Sequence, residues 1–298
     1  MNASVHLLEQ VLPSVVHVRS RIPERHPSAR ILGIERMGSG IVIDGTGLVL
    51  TVNYVLIGAA ELTVTLLDKR EYPAQVVRHD FQSGLGVLRV DQQGLPTLPL
   101  HSSRDLALGD EIFLVASVGD GQARVADGNV TSLGPFDANW EYLLDRAIVT
   151  SAMNPGLGGG PILDLTGRVR GVVSLNLNEI GKFSLGVPAE AFLEQREAFL
   201  ADGPLGMGAR AWLGVFCYAL DGQVVVAGLL PEAPGEKAGL RPGDVIVGLD
   251  AEKVLDRGHL YRLLWQRRPG AAVSLVVVRG RQRLTVVVNS SDVVEFFA

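Results

Sequence analysis

The feature that most limits how this chain can fold is a series of short apolar runs separated by turn-forming residues. The 298 residues include 35 glycines and 15 prolines, which suits many tight turns. Short runs at regular spacing predict the strands of a β-barrel rather than a helical bundle. In the first part of the chain the predicted strands are 14–18, 40–43, 48–52, 62–67, 74–77, 86–90 and 111–116.

A second series of such runs predicts a second barrel, followed by a smaller unit. These runs are 129–132, 143–149, 160–164 and 169–176. Residues 188–200 (PAEAFLEQREAFL) predict a closing helix, and the small residues of 201–210 (ADGPLGMGAR) predict a linker. The remainder, 211–298, alternates predicted strands with one helix near 257–267, which is typical of a small α+β domain.

Charge and composition exclude several function classes. The 27 basic and 32 acidic residues are interleaved and give a net charge of −5, so no nucleic-acid partner is indicated. No run reaches the length of a membrane span, and the first residues lack a signal-peptide pattern. Cys217 is the single cysteine, which excludes an intramolecular disulfide and is expected to be a core residue. The histidines show no metal-ligand spacing, so neither a metal nor a cofactor is predicted.

Three segments of the first part occur in an order that points to one family. Residues 38–44 (GSGIVID) lead into 50–56 (LTVNYVL), residues 79–88 read HDFQSGLGVL, and residues 154–161 read NPGLGGGP. They resemble the histidine, aspartate and nucleophile segments of the HtrA family of trypsin-like serine proteases. The family's usual nucleophile loop is NPGNSGGP. The resemblance covers residues 5–195 and implies a trypsin-like double β-barrel over 1–200.

The same resemblance implies that the catalytic triad is lost. Tyr54 stands at the histidine position, Gly84 at the aspartate position and Gly158 at the serine position. A serine protease needs a hydroxyl nucleophile, an imidazole base and an orienting carboxylate. None is supplied here, and a tyrosine with an ordinary pKa of about 10 is a poor base at neutral pH. The former oxyanion loop, Gly156, Leu157 and Gly158, could still present backbone N–H groups or could be collapsed on itself.

Neighbouring side chains offer an alternative catalytic group. His79, Asp80 and Ser83 flank the aspartate position, and Ser151 precedes the nucleophile loop. The competing interpretation is that Asp80 caps a turn while His79 and Ser83 face solvent. We therefore expect no catalysis from these residues.

The last part of the chain carries a second resemblance. Residues 211–215 (AWLGV) look like the carboxylate-binding loop of a PDZ domain, and 233–246 (APGEKAGLRPGDVI) resemble the PDZ domain of HtrA proteins. A PDZ domain adds an extended peptide to a sheet edge and holds its terminal carboxylate on loop amides. The candidate peptide-binding residues are Trp212, Leu213, Gly214, Val215, Leu260 and Leu264.

Two alternatives remain open within this domain. The leucines of the predicted helix, Leu260, Leu263 and Leu264, are candidates for the core as well as for the groove wall. The apolar terminus 293–298 could dock in a PDZ groove or be a packed or frayed tail.

The function expected from these features is non-catalytic binding of peptide or protein C-termini through the PDZ domain. The alternative is an active endopeptidase of protein quality control that uses displaced residues or an active partner subunit. The resemblance also implies a homotrimer and a bacterial periplasmic or envelope location, although this chain shows no leader.

Overall fold

The computed structural model describes residues 3–178 and 181–297. Contacts divide the chain into two compact units, one of residues 1–134 and 145–207 and one of 135–144 and 208–298. The domain limits expected from the sequence, 1–200, 201–210 and 211–298, stay a prediction. The second unit also includes the short segment 135–144, which contains the end of one strand, the start of the next and the turn between them.

Six antiparallel strands form the first barrel. They are β1 (Val15–Arg21), β2 (Glu35–Val42), β3 (Leu48–Val52), β4 (Glu61–Thr65), β5 (Glu71–Asp80) and β6 (Leu85–Val90). Their order is β5-β4-β1-β2-β3-β6, and pairing of β5 with β6 closes the ring. Every residue of β3 is buried, which fits its largely apolar sequence LVLTV.

A second closed barrel completes the first unit, as the two series of apolar runs predict. Its strands are β7 (Glu111–Gly119), β8 (Gln122–Ala138), β9 (Tyr142–Thr150), β10 (Pro161–Asp164), β11 (Val169–Asn176) and β12 (Ser184–Pro188). The strand order is β10-β11-β12-β9-β8-β7. The interior includes Ile112, Leu114, Ile148, Ile162 and Val173, all at most 1 % exposed.

Short helices join and close the barrels. The helix expected over 188–200 is in fact two helices, because Gln195 leaves the helical conformation with φ −115° and ψ 16°. The break brings the buried rings of Phe192 and Phe199 to 5.2 Å between centroids, whereas seven residues of straight helix would separate them by about 10 Å. The helices of this unit are α1 (Ala3–Val11), a 3₁₀ helix (Leu12–Ser14), α2 (Ala29–Leu32), α3 (Asn53–Leu56), α4 (Glu190–Leu193) and α5 (Arg196–Leu200).

The interval predicted as a linker is partly ordered against the first barrel. Strand β13 (Gly206–Met207) pairs in parallel with β5. The Arg78 guanidinium donates a 2.7 Å hydrogen bond to the carbonyl of Pro204 and another to that of Ala201. These bonds fix the chain up to the end of the first unit.

The second unit is built on a six-stranded antiparallel sheet. Its elements are β14 (Ala211–Trp212), β15 (Val215–Leu220), β16 (Gln223–Leu229), α6 (Pro234–Lys237), β17 (Val245–Leu249), β18 (Glu252–Lys253), α7 (Arg257–Leu264), β19 (Ala272–Arg279), β20 (Gln282–Asn289), β21 (Ser291–Asp292) and α8 (Val293–Phe296). The sheet order is β15-β16-β17-β19-β20, with β18 paired to β17, while β14 and β21 form a separate two-stranded sheet. Cys217 is 0 % exposed in the core of this unit, which confirms the predicted core role, and burial raises the pKa of its thiol to about 12.

The mainly β architecture predicted from the sequence is confirmed. None of the helices within residues 3–178 and 181–297 is long and apolar enough to cross a membrane.

An ion pair fixes the turn that leads into β17. Asp244 is 0 % exposed, accepts a 2.9 Å bond from the N–H of Arg241, and accepts 2.7 and 2.8 Å bonds from the Arg279 guanidinium. The hydrogen bonds from Arg279 are the main reason why the pKa of Asp244 lies below its ordinary value. The charged carboxylate therefore stabilises the folded second unit.

We predict that Asp244→Asn lowers the free energy of unfolding of the second unit by about 2–3 kcal/mol at pH 7, since charge-assisted hydrogen bonds are lost. Because the folded-state pKa of Asp244 is depressed, its contribution is present above pH 3.8 and is lost as the pH falls below that value. Hydrogen exchange of the β17 amides in urea reports this unit separately.

The matched control is Asp221→Asn at an exposed turn, which should change stability by less than about 0.5 kcal/mol. A loss in Asp244→Asn no larger than that of the control, or one that persists unchanged at pH 2, would contradict the assignment.

Candidate functional site

Tyr54 lies at the position where the resemblance places the catalytic histidine. It is the second residue of α3, directly after β3, and its hydroxyl donates a 3.2 Å hydrogen bond to the carbonyl of Ser174 in β11. Burial raises the pKa of Tyr54 to about 12. The phenol is therefore neutral near pH 7, and its proton is engaged with a backbone oxygen.

The space beside Gly158 is filled by that same tyrosine. A β-carbon on residue 158 would lie 2.3 Å from the Tyr54 hydroxyl oxygen and 2.7 Å from the Ser174 carbonyl oxygen. Real contacts of a β-carbon are longer than 3.0 Å. A serine side chain at 158 consequently requires Tyr54 to move.

The loop that carries Gly158 is fixed by its backbone. The N–H of Ser39 donates a 2.7 Å bond to the Gly158 carbonyl, and the Ser39 hydroxyl donates a 3.1 Å bond to the Leu157 carbonyl. The N–H of Gly159 donates a 2.7 Å bond to the carbonyl of Val173. The main-chain path around residue 158 is therefore tied to both barrels of the first unit.

One of the candidate oxyanion donors is engaged within the loop. The N–H of Gly156 donates a 3.2 Å hydrogen bond to the side-chain oxygen of Asn154. This is the internally satisfied alternative for that amide rather than an N–H group aimed at a substrate oxygen.

Gly84 has a backbone conformation that disfavours the carboxylate side chain of the family. Its φ is +76°, in the left-handed region. Its N–H donates to the Asp80 carbonyl at 3.0 Å, and its carbonyl accepts from the Asn53 N–H at 2.8 Å. This turn supports α3, and hence Tyr54, by these backbone hydrogen bonds and by a 3.1 Å bond from the Asn53 side-chain amide to the Asp80 carbonyl.

The residues considered as displaced catalytic groups have local structural roles. The Asp80 carboxylate accepts 3.0 and 2.8 Å bonds from the N–H groups of Gln82 and Ser83, as expected of a turn cap. The expectation that His79 and Ser83 face solvent is wrong, since they are 6 % and 4 % exposed. They are buried because β5 continues into a turn packed under α3, not at the surface. Burial, with a smaller contribution from Arg78, lowers the pKa of His79 to about 4.

Ser151, the other displaced candidate, belongs to the edge of the second barrel. Its hydroxyl accepts a 3.0 Å bond from the Asn129 N–H in β8. That bond extends the strand pairing and needs no catalytic role.

A serine–histidine contact that sequence reasoning missed occurs in the first unit. The Ser28 hydroxyl and the His26 Nδ1 are 2.7 Å apart. Ser28 is 1 % exposed, and its hydroxyl also accepts a 2.6 Å bond from Arg36. A buried hydroxyl beside a guanidinium is a structural contact, so this pair is not an accessible nucleophile and base.

The second candidate site is the loop between β14 and β15. The Gly214 φ is +73°, and a β-carbon there would lie 2.3 Å from the β-carbon of Ala233, so only glycine fits. In this conformation the N–H groups of Leu213, Gly214 and Val215 point to one place. Converging amides are the arrangement that captures a carboxylate.

A carboxylate of the chain itself lies on these amides. The Glu141 Oε1 accepts hydrogen bonds of 3.2, 2.8 and 3.0 Å from the N–H groups of Leu213, Gly214 and Val215. Glu141 is 0 % exposed and, like the loop, belongs to the second unit. Burial raises the pKa of Glu141 to about 7, although the three N–H groups and Arg210 oppose the shift. No local sequence signal identifies Glu141, because its partners are more than seventy positions away.

The leucines of the predicted groove wall are buried. Leu260, Leu263 and Leu264 are at most 3 % exposed and belong to the same core cluster as Leu213 and Val215. Their burial agrees with the core alternative.

Trp212 contacts the end of the chain instead of a groove. Its ring centroid lies 4.7 Å from that of Phe296 and 5.8 Å from that of Phe297. Residues 293–297 are therefore a packed segment, while Ala298 lies outside the described residues.

Family models match the two halves of the chain. A trypsin-like peptidase domain matches residues 38–172, and a PDZ domain matches residues 211–289.

Curated relatives carry the same pair of domains in longer chains. A "Probable periplasmic serine endoprotease DegP-like" of Ectopseudomonas mendocina (strain ymp) is 32% identical over 286 residues, covering 89% of this chain and 59% of the relative. A protein of the same description from Hahella chejuensis (strain KCTC 2396) is 32% identical over 268 residues, with coverages of 85% and 56%. The chain thus spans less than two thirds of the length of these relatives.

Solved structures of other proteins also match nearly the whole chain. The HtrA-type protease AlgW with a decapeptide matches with a TM-score of 0.59 and 25% identity, covering 98% of this chain and 99% of that one. A serine endoprotease from Yersinia pestis has a TM-score of 0.59 at 21% identity, with 98% of each chain covered, and supports the fold. This chain therefore consists of an HtrA-family trypsin-like peptidase domain followed by a PDZ domain, and it is a homologue of the DegP-like and AlgW proteases.

Proposed function

We propose that this chain is a non-catalytic member of the family that binds peptide or protein C-termini through its PDZ domain. The observation that carries the proposal is the position of the Tyr54 hydroxyl, 2.3 Å from where a β-carbon of residue 158 would stand. The site has lost the nucleophile, and its space is occupied by a side chain that is itself held by a backbone hydrogen bond.

Two contacts and one missing side chain make recovery of catalysis difficult. Tyr54 has a proton that is bound to Ser174 and a pKa of about 12, so it does not serve as a base near neutral pH. Gly84 has no side chain to orient a base, and Gly156 donates its N–H to Asn154. Loss of the nucleophile or the base alone lowers turnover by about 10⁶ in a serine protease of another fold.

Binding is supported by the second unit. The amides of residues 213–215 converge on a carboxylate, and β15 offers a strand edge beside α7, which is the arrangement of a PDZ groove. The solved relative AlgW is described with a decapeptide. We extend that binding mode to this chain as part of the proposal, together with the homotrimeric assembly and the envelope location that the resemblance implies.

The first test is hydrolysis of an unfolded protein. We expect the purified chain, Gly158→Ser and Tyr54→Ala all to release no fragments above buffer, because none of them contains a complete triad. Fluorescent casein provides the measurement. Cleavage that copurifies with the parent chain and disappears in Tyr54→Ala would overturn the inactive assignment.

A second prediction tests the filled space directly. Gly158→Ser should lower the free energy of unfolding by about 1–3 kcal/mol, because its side chain overlaps the Tyr54 hydroxyl. In a Tyr54→Ala background the same substitution should cost less, because only the overlap with the Ser174 carbonyl oxygen remains. Denaturant unfolding of the four proteins of this cycle measures the coupling between the two positions.

The control for this cycle is Gly45→Ser, at a glycine with open space around its β-carbon position, where we expect a change of less than about 0.5 kcal/mol. An equal cost of Gly158→Ser with and without the Tyr54 side chain would show that the two groups do not compete for one space.

A third prediction concerns ligand chemistry. Peptides with a free terminal carboxylate should bind the full chain at least tenfold more tightly than the same peptides amidated at the C-terminus, since amides of residues 213–215 need an anionic acceptor. Fluorescence anisotropy with a C-terminal peptide library measures both series. Equal binding of the two series would argue against recognition of C-termini.

A further inference from the structure

The segment that carries Glu141 lies along both walls of the groove. The N–H of Cys217 in β15 donates a 2.7 Å hydrogen bond to the Asn139 carbonyl. On the α7 side, the Tyr261 hydroxyl donates a 2.8 Å bond to the Ala138 carbonyl. The segment therefore lies between the strand edge and the helix, the place where a PDZ domain takes an extended peptide.

Both ends of this segment are anchored as well. Arg257, the first residue of α7, contacts the carboxylate of Asp137 at 2.5 Å. Its guanidinium also donates a 2.6 Å hydrogen bond to the backbone carbonyl of Asp137. At the other end Leu143 is 8 % exposed and belongs to the core cluster of the second unit. The backbone between these anchors turns at Glu141, whose φ is +57°. That turn directs a side-chain carboxyl, rather than a chain terminus, into the loop.

We propose that residues 137–143 are an internal ligand of the PDZ groove, in which the Glu141 carboxyl takes the place of a peptide's terminal carboxylate. An external peptide then binds only after it has displaced this segment. The proposal rests on the proposed function, since it describes how the same peptide-binding site is regulated.

Competition between an external peptide and residues 137–143 follows from the hydrogen bonds that both would make to the groove. The three amides that would hold a terminal carboxylate already donate to Glu141, and Cys217, which would donate to a peptide carbonyl, already donates to Asn139. One set of donors cannot serve two carboxylates. The apparent dissociation constant of an external peptide is therefore its intrinsic value divided by the fraction of molecules in which the groove is open.

The docked carboxyl is held by neutral backbone amides and lies in the field of a nearby cation. Arg210 donates a hydrogen bond to the backbone carbonyl of Glu141, and its charge also stabilises the ionised carboxyl. The Glu141 carboxyl in turn acts electrostatically on Cys217 and Tyr261. Burial of the carboxyl costs free energy that these groups offset only in part, which favours its displacement by a peptide.

Displacement would have a structural consequence along the chain. Residues 137–143 are continuous with β8, which ends at Ala138, and with β9, which begins at Tyr142. A peptide that enters the groove would consequently release the connection between two neighbouring strands of the second barrel. Ligand binding at the PDZ domain is in this way coupled to the conformation of residues 137–143.

The deciding experiment is hydrogen exchange of the full chain, comparing the parent with Glu141→Ala and the exposed control Glu252→Ala. We expect the amides of Leu213, Gly214, Val215 and Cys217 to exchange at least tenfold faster in Glu141→Ala and unchanged in Glu252→Ala. Unchanged exchange in both variants, with intact folding by circular dichroism, would overturn the proposal. If Glu141→Ala does not fold, Asp137→Asn loosens the other anchor without touching the loop and should accelerate Cys217 exchange.

Peptide binding separates this proposal from the proposed function. With a peptide that has a free C-terminus, we expect at least tenfold tighter binding to Glu141→Ala than to the parent or to Glu252→Ala. Equal affinity in all three proteins would overturn the internal ligand but leave peptide binding intact. No binding to any protein, together with faster exchange in Glu141→Ala, would refute the proposed function and support occupancy of the groove by residues 137–143.

A tryptophan within the segment reports displacement directly. Trp140 is 44 % exposed and its ring lies 6.2 Å from that of Tyr142. In a variant with Trp212→Phe and Trp265→Phe, Trp140 is the one remaining tryptophan, and peptide binding should change its emission. Unaltered emission of Trp140 when peptide is bound to that variant would contradict movement of the segment.

Discussion

A single volume inside the first unit cannot hold both a nucleophile and the Tyr54 side chain. The hydroxyl oxygen of Tyr54 lies 2.3 Å from the β-carbon position of residue 158, and its proton is bound to the Ser174 carbonyl. Protein interiors are close-packed, so the space beside a glycine is either a cavity or is filled by a neighbour. Here the neighbour is Tyr54, the residue at the position where the resemblance places the catalytic histidine. The backbone around residue 158 is tied through Ser39 and Gly159.

The second unit satisfies its polar groups in a comparable way. Three converging amides would be costly to leave without an acceptor when buried, and Glu141 supplies that acceptor from within the chain. The amides of residues 213–215 are thus occupied by the molecule's own carboxyl. Under the proposed function, binding of a peptide is an exchange of one carboxylate for another, in which the difference in affinity between them decides the occupancy.

Much of the fold could be predicted from local sequence. The apolar runs 48–52 and 169–176 coincide with β3 and β11, and the loop of residues 213–215 was predicted from AWLGV. The split of the predicted helix at Gln195 was not predicted, because it depends on the packing of Phe192 against Phe199. The buried state of His79 and Ser83 was also missed, since a polar loop in sequence can lie beneath another element.

The functional details depend on contacts between distant positions. Tyr54 and Gly158 were identified as substitutions, but their overlap in space has no signature in either segment. Glu141 is 72 to 74 positions from the amides that it contacts, and the interval 135–144 reads as an ordinary connection between two strands. Sequence patterns of short period cannot reveal such a pairing.

The most direct measurement of the central claim is covalent labelling with diisopropyl fluorophosphate, a reagent that reacts with activated serine hydroxyls, followed by intact mass. The account predicts that the mass of the full chain is unchanged under conditions in which trypsin is labelled completely, because the serine that contacts a histidine in the described part of the chain, Ser28, is buried. One equivalent of adduct on the native chain, absent after unfolding, would contradict it and would identify a working nucleophile.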